Sequence, residues 1–378
     1  MKRLGEQTPR SVYVHVPFCH HRCGYCNFTL VAGRDDLMDR YLAALQSELT
    51  TVPACQVDTV FIGGGTPTHL DEDRLEKLLQ TIASHFSFSS DLEFSVEANP
   101  LDVSPGKVSV LADHGVNRIS LGAQSFQSRK LSVLERDHDA GVIQLAAEVT
   151  RQKIGNLSVD LIFGTPAETL EDWESDLNSA VVLDPNHLST YGLTVEKGTS
   201  FWTRRLRGEL KVPSDEIGVT FYERGIDFLG QHGFEHYEVS NFSKPGFRCR
   251  HNESCWLGNS YWAFGPGASR YVNGHRQTNH RSTTQYLKLV EAGQSPTVDS
   301  EMVDAVEAAR ERLIFGLRRI EGIDRVRFEA ETGQTVESIS GGALASLIGC
   351  ELLEETGQYL RLTRKGLLVS DSIWPYFL

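Results

Sequence analysis

The chain has 378 residues, 40% hydrophobic and 23% charged, with a formal net charge of -13 at neutral pH. That is a globular composition, long enough for one large core plus a smaller domain. The acidic balance argues against a nucleic-acid protein, which needs surplus Lys and Arg for phosphate, and no run reaches the roughly 18 apolar residues of a membrane span.

The opening MKRLGEQTPR carries basic residues with no apolar run behind them, so it does not read as a secretory signal. Seven cysteines, three of them within eight residues, favour a reducing compartment and a metal or redox use. A cytoplasmic location is therefore expected. SVYVHVPF (11–18) mixes aromatic and β-branched residues and predicts a strand. The spacing of Leu37, Tyr41, Leu45 and Leu49 predicts a helix over 36–49. VDTVFIGGG (57–65) predicts a second strand, and the acid-led stretch 71–86 a second helix. The alternation continues with strands at 92–98, 118–125, 157–164 and 187–195. Helices are expected near 104–115, 127–135, 141–152 and 169–183. Six strand–helix units with such apolar strands imply an α/β fold with a parallel sheet covered by helices. Periodicity alone leaves barrel and open sheet undecided.

Beyond about residue 215 the rhythm changes. A helix from 214 and a strand FEHYEVSNF (234–242) are followed by a Gly-, Asn- and His-rich stretch, 246–282, of weak periodicity. A long helix is predicted over 303–320, and then helix, short hairpin and tail, an order resembling a small winged-helix unit. The expected division is a core at 1–245, a connecting segment at 246–295 and a C-terminal helical or winged-helix-like domain at 296–378.

The unusual residues gather at the strand ends. HVPFCHHRCGYCNF (15–28), GGGTPT, EANP, GAQS and DLIFGTP all follow strands, and in parallel α/β folds that edge carries the active site. The CxxxCxxC of Cys19, Cys23 and Cys26 has three readings. Zinc would take the three thiols with His20 or His21, although zinc modules usually pair two short ligand motifs. A redox pair at Cys23 and Cys26 leaves the third cysteine unexplained. A [4Fe–4S] cluster with one open iron uses all three.

The cysteine loop together with GGGTP resembles the radical S-adenosylmethionine (SAM) superfamily, and a partial (β/α)6 barrel is the fold this implies. In those enzymes SAM chelates the open iron and is cleaved by an electron from the cluster. The glycines fit such a ligand, since GGGT (63–66) offers backbone N–H groups with no side chains in the way. Over most of the chain, to about residue 290, the resemblance narrows to the coproporphyrinogen dehydrogenase-like family. It implies Tyr13 near the cluster, Tyr25 on the adenine side, and Gly64, Gly65 and Thr66 at the methionine end. It further implies Glu97, Gln124, Arg136 and Asp160 as polar SAM ligands, with Gly192 as a softer match. Any one of these alone would read better as a surface or capping residue.

Two details separate branches of that family. Oxygen-independent coproporphyrinogen oxidases resemble CxxxCxxCxC, whereas this chain has Phe28 at the last position. RHNESCW (250–256) resembles the H-N-x-x-Y-W motif of the heme chaperone branch, with Cys255 in place of Tyr. The resemblance therefore implies a protein that binds heme, a [4Fe–4S] cluster and SAM and delivers heme to hemoproteins, with His251 and Trp256 at the heme. Cys255 lies four positions after His251, and in a helix the two would share a face, so a thiolate ligand, or a small zinc site with Cys249, is also open. A hydrogen-bonding role is the plainer reading of a loop histidine. Expected partners are heme, acceptor hemoproteins and an electron donor, with peripheral membrane contact left to the acceptors. The alternative is oxygen-independent coproporphyrinogen III oxidase or another radical SAM oxidoreductase of porphyrin metabolism. His15, Cys55 and Cys350 are assigned to packing.

Overall fold

The computed structural model describes residues 8–378, so most of the segment judged not to be a secretory signal lies outside the described residues. Strands β1 (Ser11–Val16), β2 (Gln56–Gly64), β3 (Ser87–Ala98), β4 (Arg118–Gln124), β5 (Asn156–Phe163) and β6 (His187–Gly192) pair in parallel in that order. Between them run α1 (Met38–Leu49), α2 (Glu72–His85), α3 (Pro105–Asp113), α4 (Ser128–Val133), α5 (Ala140–Arg151) and α6 (Leu170–Val182). The predicted strand–helix alternation is present, and the sixth strand ends at Gly192 rather than at 195.

Alternation along the strands sorts core from site. In β4, Ile119, Leu121 and Ala123 are fully buried in the main core, and in β5 Leu157, Val159 and Leu161 do the same. Each buried Ile, Leu or Val side chain among them stabilises the fold by roughly 1.5–3 kcal/mol. The intervening residues, Ser120, Gly122 and Gln124 on β4 and Asp160 and Ile162 on β5, line a cavity instead. Helix ends are fixed locally. Asp71 caps α2 by accepting from Arg74 N, and Thr169 with Asp172 forms a reciprocal cap on α6.

The structure departs from expectation after β6. Helix α7 (Ser200–Leu206) was not predicted, and α8 (Asp215–Gln231) was. The expected strand 234–242 is two, β7 (Glu235–Glu238) and β8 (Asn241–Ser243), paired antiparallel. The Glu238 carboxylate accepts from Ser240 N at 2.8 Å and Asn241 Nδ2 at 2.5 Å, which fixes the reversal. Residues 246–295 are also no mere connector. They supply α9 (Arg250–Trp256), β9 (Tyr261–Phe264), β10 (Ser269–Val272), β11 (His275–Asn279) and α10 (Thr283–Glu291). β9 lies parallel to β1 on the side opposite β2. With β12 (Thr297–Met302), the sheet reaches twelve strands in the order β12-β11-β10-β9-β1-β2-β3-β4-β5-β6-β8-β7.

A second core follows. Leu313 and Leu317 of α11 (Ala305–Leu317) pack with Phe328, Leu347, Leu353 and Leu360. Five more α-helices and a small sheet of Ile323–Asp324, Tyr359–Leu362 and Leu353–Thr356 complete it, a helical C-terminal part as expected. This part meets the edge strand β7 through its backbone: Ile320 N donates to Tyr237 O at 3.1 Å, and Val239 N donates to Arg318 O at 3.1 Å. No helix among the described residues is long and apolar enough to cross a membrane.

Candidate cofactor site

A cavity of about 420 Å³ opens at the C-terminal ends of the parallel strands. Cys19, Cys23, Cys26, Tyr25, Gly64, Gly65, Thr66, Glu97, Gln124, Arg136, Asp160 and Gly192 all line it.

The cysteine loop is closed at its base, where Phe18–Cys19 pairs with Val31–Ala32. Within it Cys26 N donates to Cys23 O at 3.0 Å, and Arg22 Nη2 donates to Leu30 O at 2.8 Å. Helix α7 braces the loop from outside. Phe201 N donates to Gly24 O at 2.8 Å, and the Phe201 ring meets Tyr25 edge-on at 6.1 Å. All three thiols are free. Among the described residues, their sulfurs do not gather within 4.8 Å of one another. A single zinc at about 2.3 Å from each sulfur would require them to, so the wider spread suits a cluster. Burial pushes the Cys19 thiol up to about 11, and it also raises that of Cys26. Ligation must therefore displace protons. The Arg136 guanidinium lies 3.8 Å from Cys23 Sγ, and its charge partly offsets burial at Cys19 and Cys26.

The glycine loop leaves β2 with no room for side chains. Gly64 has φ +108°, a conformation open to glycine, and a Cβ there would enter the His15 ring. A Cβ on Gly65 would lie 2.7 Å from Phe18 O. Gly65 N donates to Val16 O at 2.8 Å and Thr66 N donates to Phe18 O at 2.7 Å, which seats the loop on the cysteine segment. Cys19 Sγ and Thr66 Oγ1 are 3.4 Å apart.

Two carboxylates lie on the inner face. Gly64 N donates to Glu97 Oε2 at 3.0 Å, and Ser120 Oγ donates to Asp160 Oδ1 at 3.1 Å. Burial, and then the Asp160 charge, pushes Glu97 up to about 7. Burial raises Asp160 as well. Because the folded-state value of Glu97 exceeds the ordinary carboxylate value of 4.5, folding favours its protonated form. The stability this gives is present below about 4.5 and is lost as pH rises through about 7. Glu97→Gln is therefore expected to melt above the wild type at pH 8 and together with it near pH 5. Thermal denaturation at the two pH values checks this.

Three expected residue placements differ from the cavity lining. Tyr13 is not among the residues that line the cavity. It lies one inward step below His15, with its hydroxyl 3.0 Å from His15 Nδ1 and its ring stacked on Phe61. His251 and Trp256 do not share a site. His251 is buried at the other end of the barrel, with Nδ1 3.0 Å from Thr59 Oγ1. At about 3.3 Å per residue, Thr59 sits roughly 17 Å below Gly64 along β2. Burial and then Arg118 lower His251 to about 4, so it is neutral at pH 7. Trp256 instead packs on Tyr237 and faces Arg312, Phe328 and Tyr359 of the C-terminal part. Cys255, pushed up to about 12 by burial, faces Tyr261 and Arg312, and Cys249 lies against Glu93. Neither belongs to any metal-ligand group among the described residues.

Sequence reasoning missed several cavity residues: Ser120, Ile162, Tyr191 and Leu193. Ser120 could have been found, since it shares the inward face of β4 with Gln124. Gln124 itself has φ +67° at a β-bulge, which turns the strand end toward the cavity.

A radical SAM superfamily model matches residues 13–180, and a HemN C-terminal domain model matches 303–369. The chain is 36% identical over 376 residues to "Heme chaperone HemW" of Bacillus subtilis, covering 98% of this chain and 99% of that one. The chain belongs to the HemW family of radical SAM proteins. The family's "Heme chaperone HemW" of Escherichia coli is 32% identical, covering 99% of this chain and 100% of that one. Among solved structures, coproporphyrinogen III oxidase (HemN) of Escherichia coli aligns with a TM-score of 0.86 at 23% identity, covering 98% of this chain and 90% of that one. HemW and HemN chains thus share this fold across both parts. As a radical SAM protein the chain carries a [4Fe–4S] cluster and SAM. The residues present fit both groups, through three free thiols lining one cavity and a glycine cradle that any Cβ would fill.

Proposed function

We propose that this protein is a heme chaperone that receives heme and passes it to hemoproteins in the cytoplasm, with a cluster and SAM in the cavity. The observation that carries this reading is full-length similarity to proteins named heme chaperones, together with Phe28 where oxidases of the family place a fourth cysteine. We assign Cys19, Cys23 and Cys26 to the cluster. Gly64, Gly65 and Thr66 present backbone to the methionine end of SAM, and Tyr25 and Gly192 flank its adenosine. Arg136 suits the SAM carboxylate, and Glu97 and Asp160 suit its ammonium and ribose hydroxyls, with Gln124 beside them. When bound, the cluster and SAM together supply one-electron chemistry. The protein's own part is to exclude side chains from the glycine loop and to hold the two carboxylates and the guanidinium in fixed positions.

For heme, the exposed apolar rim formed by Phe28 (59% exposed), Tyr191 and Leu193 is a better candidate surface than His251, which is buried against Thr59 and Phe61 of β2. We propose 1–302 as the radical SAM part, including the former connector, and 303–378 as the C-terminal part. The experiment is an anaerobic heme titration of the cluster-loaded protein, followed by mixing with an apo-hemoprotein in one arm and with coproporphyrinogen III, SAM and a low-potential reductant in the other. A Soret band that moves to the apo-hemoprotein, with no protoporphyrinogen formed, is the expected result. In this conformation His251→Ala should leave the Soret band unchanged. Protoporphyrinogen in the second arm would instead establish the oxidase reading.

A further inference from the structure

Three consecutive strand-end loops bring His20, His69 and Asp102 together beside the cysteine loop. His20 follows Cys19, His69 ends the turn Pro67–His69 after the glycine loop, and Asp102 ends the turn Pro100–Asp102 after β3. His20 Nε2 is 2.9 Å from Asp102 Oδ1 and 3.0 Å from His69 Nδ1. All three candidate ligand atoms lie within 4.8 Å of one another.

The hydrogen-bond inventory of this cluster does not close. His69 Nε2 is 3.0 Å from Asp35 Oδ1, and since a carboxylate only accepts, that nitrogen carries the proton. Its Nδ1 is then a lone pair aimed at His20. His20 Nε2 faces this lone pair and the Asp102 carboxylate at once, with at most one hydrogen to give. The other oxygen of Asp102 is buried with no partner at all, on a side chain only 7% exposed. Buried polar atoms left in this state are uncommon and costly.

We propose that His20, His69 and Asp102 form a site for a divalent transition-metal ion, zinc in the first instance, separate from the cluster. Donors bound to zinc at about 2.0–2.1 Å in tetrahedral geometry lie about 3.4 Å apart, close to the separations found. One cation replaces the missing hydrogens, and bidentate binding by Asp102 would give its orphaned oxygen a partner. Asp35 behind His69 completes the carboxylate–histidine–metal arrangement that fixes a ligand's tautomer. Asp71, Glu72 and Asp73 line the same open cavity together with Arg74 and Lys107, which leaves its lining acidic on balance. Two imidazoles and one carboxylate suit zinc and its neighbours better than magnesium or calcium. The ion ties the cysteine loop to the glycine loop and to the loop after β3, so it would hold Cys19 and Thr66 in register.

The test uses full-length, cluster-loaded protein, so that the cysteines are already occupied. The protein is equilibrated anaerobically with zinc, desalted and analysed for iron and zinc. One zinc per chain above the iron complement is expected in the wild type. His69→Ala and Asp102→Asn should lose that zinc and keep their iron, and Asp35→Asn should bind zinc about tenfold more weakly. Zinc should raise the melting temperature of the wild type and of neither ligand variant. Equal zinc uptake in wild type and ligand variants, no uptake in any of them, or iron lost in step with zinc would each overturn the proposal.

Discussion

Alanine at Cys19, Cys23 or Cys26 is expected to take the protein from about four iron atoms per chain to near none, because a cluster held by only three thiolates has no ligand to spare. The other thiols offer no rescue. Cys249 and Cys255 sit at the far end of the barrel, and Cys55 and Cys350 line no part of the cavity. Phe28 occupies the place where a CxC ending would have supplied a substitute. One side chain is placed to complicate the result: His21 Nε2 lies 3.6 Å from Cys23 Sγ. The Cys23→Ala/His21→Ala double variant therefore belongs in the series. Iron analysis and the visible spectrum after anaerobic reconstitution read the outcome. A wild-type protein that takes up stoichiometric zinc and no iron in the cysteine loop would end the cluster assignment.

Gly64→Ala is expected to weaken SAM binding by two orders of magnitude or more, equivalent to at least about 2.7 kcal/mol, while leaving iron content unchanged. The backbone conformation alone costs an L-residue roughly 1–2 kcal/mol. The new methyl group would also enter the His15 ring, which cannot turn aside. His15 Nε2 is held at 2.6 Å by Thr29 O, and Nδ1 is held at 3.0 Å by the Tyr13 hydroxyl. The loop must therefore move, and the bond from Gly64 N to Glu97 is lost with it. Calorimetric titration of SAM into cluster-loaded protein measures the effect. Wild-type affinity in this variant would show that the glycine loop is not where SAM binds.

Much of the cavity was legible because its residues stand where strand periodicity breaks off. Gly64–Thr66, Glu97, Gln124 and Asp160 each sit at or near the end of an apolar strand, and the parallel order gathers those ends on one edge. Depth was not legible. Tyr13 and His15 share the inward face of β1, and only the register shows that two residues, about 6.6 Å, separate Tyr13 from the step at which the cavity begins. The motif around His251 was misplaced for a related reason. Nothing in RHNESCW says that the following strand returns parallel to β1, which anchors α9 at the barrel's lower end. Strand β9 (YWAF) was missed because it is only four residues long, and β10 and β11 because they are short, partly exposed and carry Arg, Gln, His and Asn. Their stability comes from ladder bonds to β1 and to one another, which local sequence does not encode.

The backbone bonds from Arg318 and Ile320 to the edge of β7 bear on how the chain can be divided. An outer strand with open N–H and C=O groups is a template for another molecule's strand. In the intact chain that template is occupied from within. A fragment ending before α11 would retain every cavity residue and still present a sticky margin, prone to sheet-to-sheet association and loss from solution. The second part of the chain thus serves the first as a built-in guard against aggregation, independently of any role it has with heme.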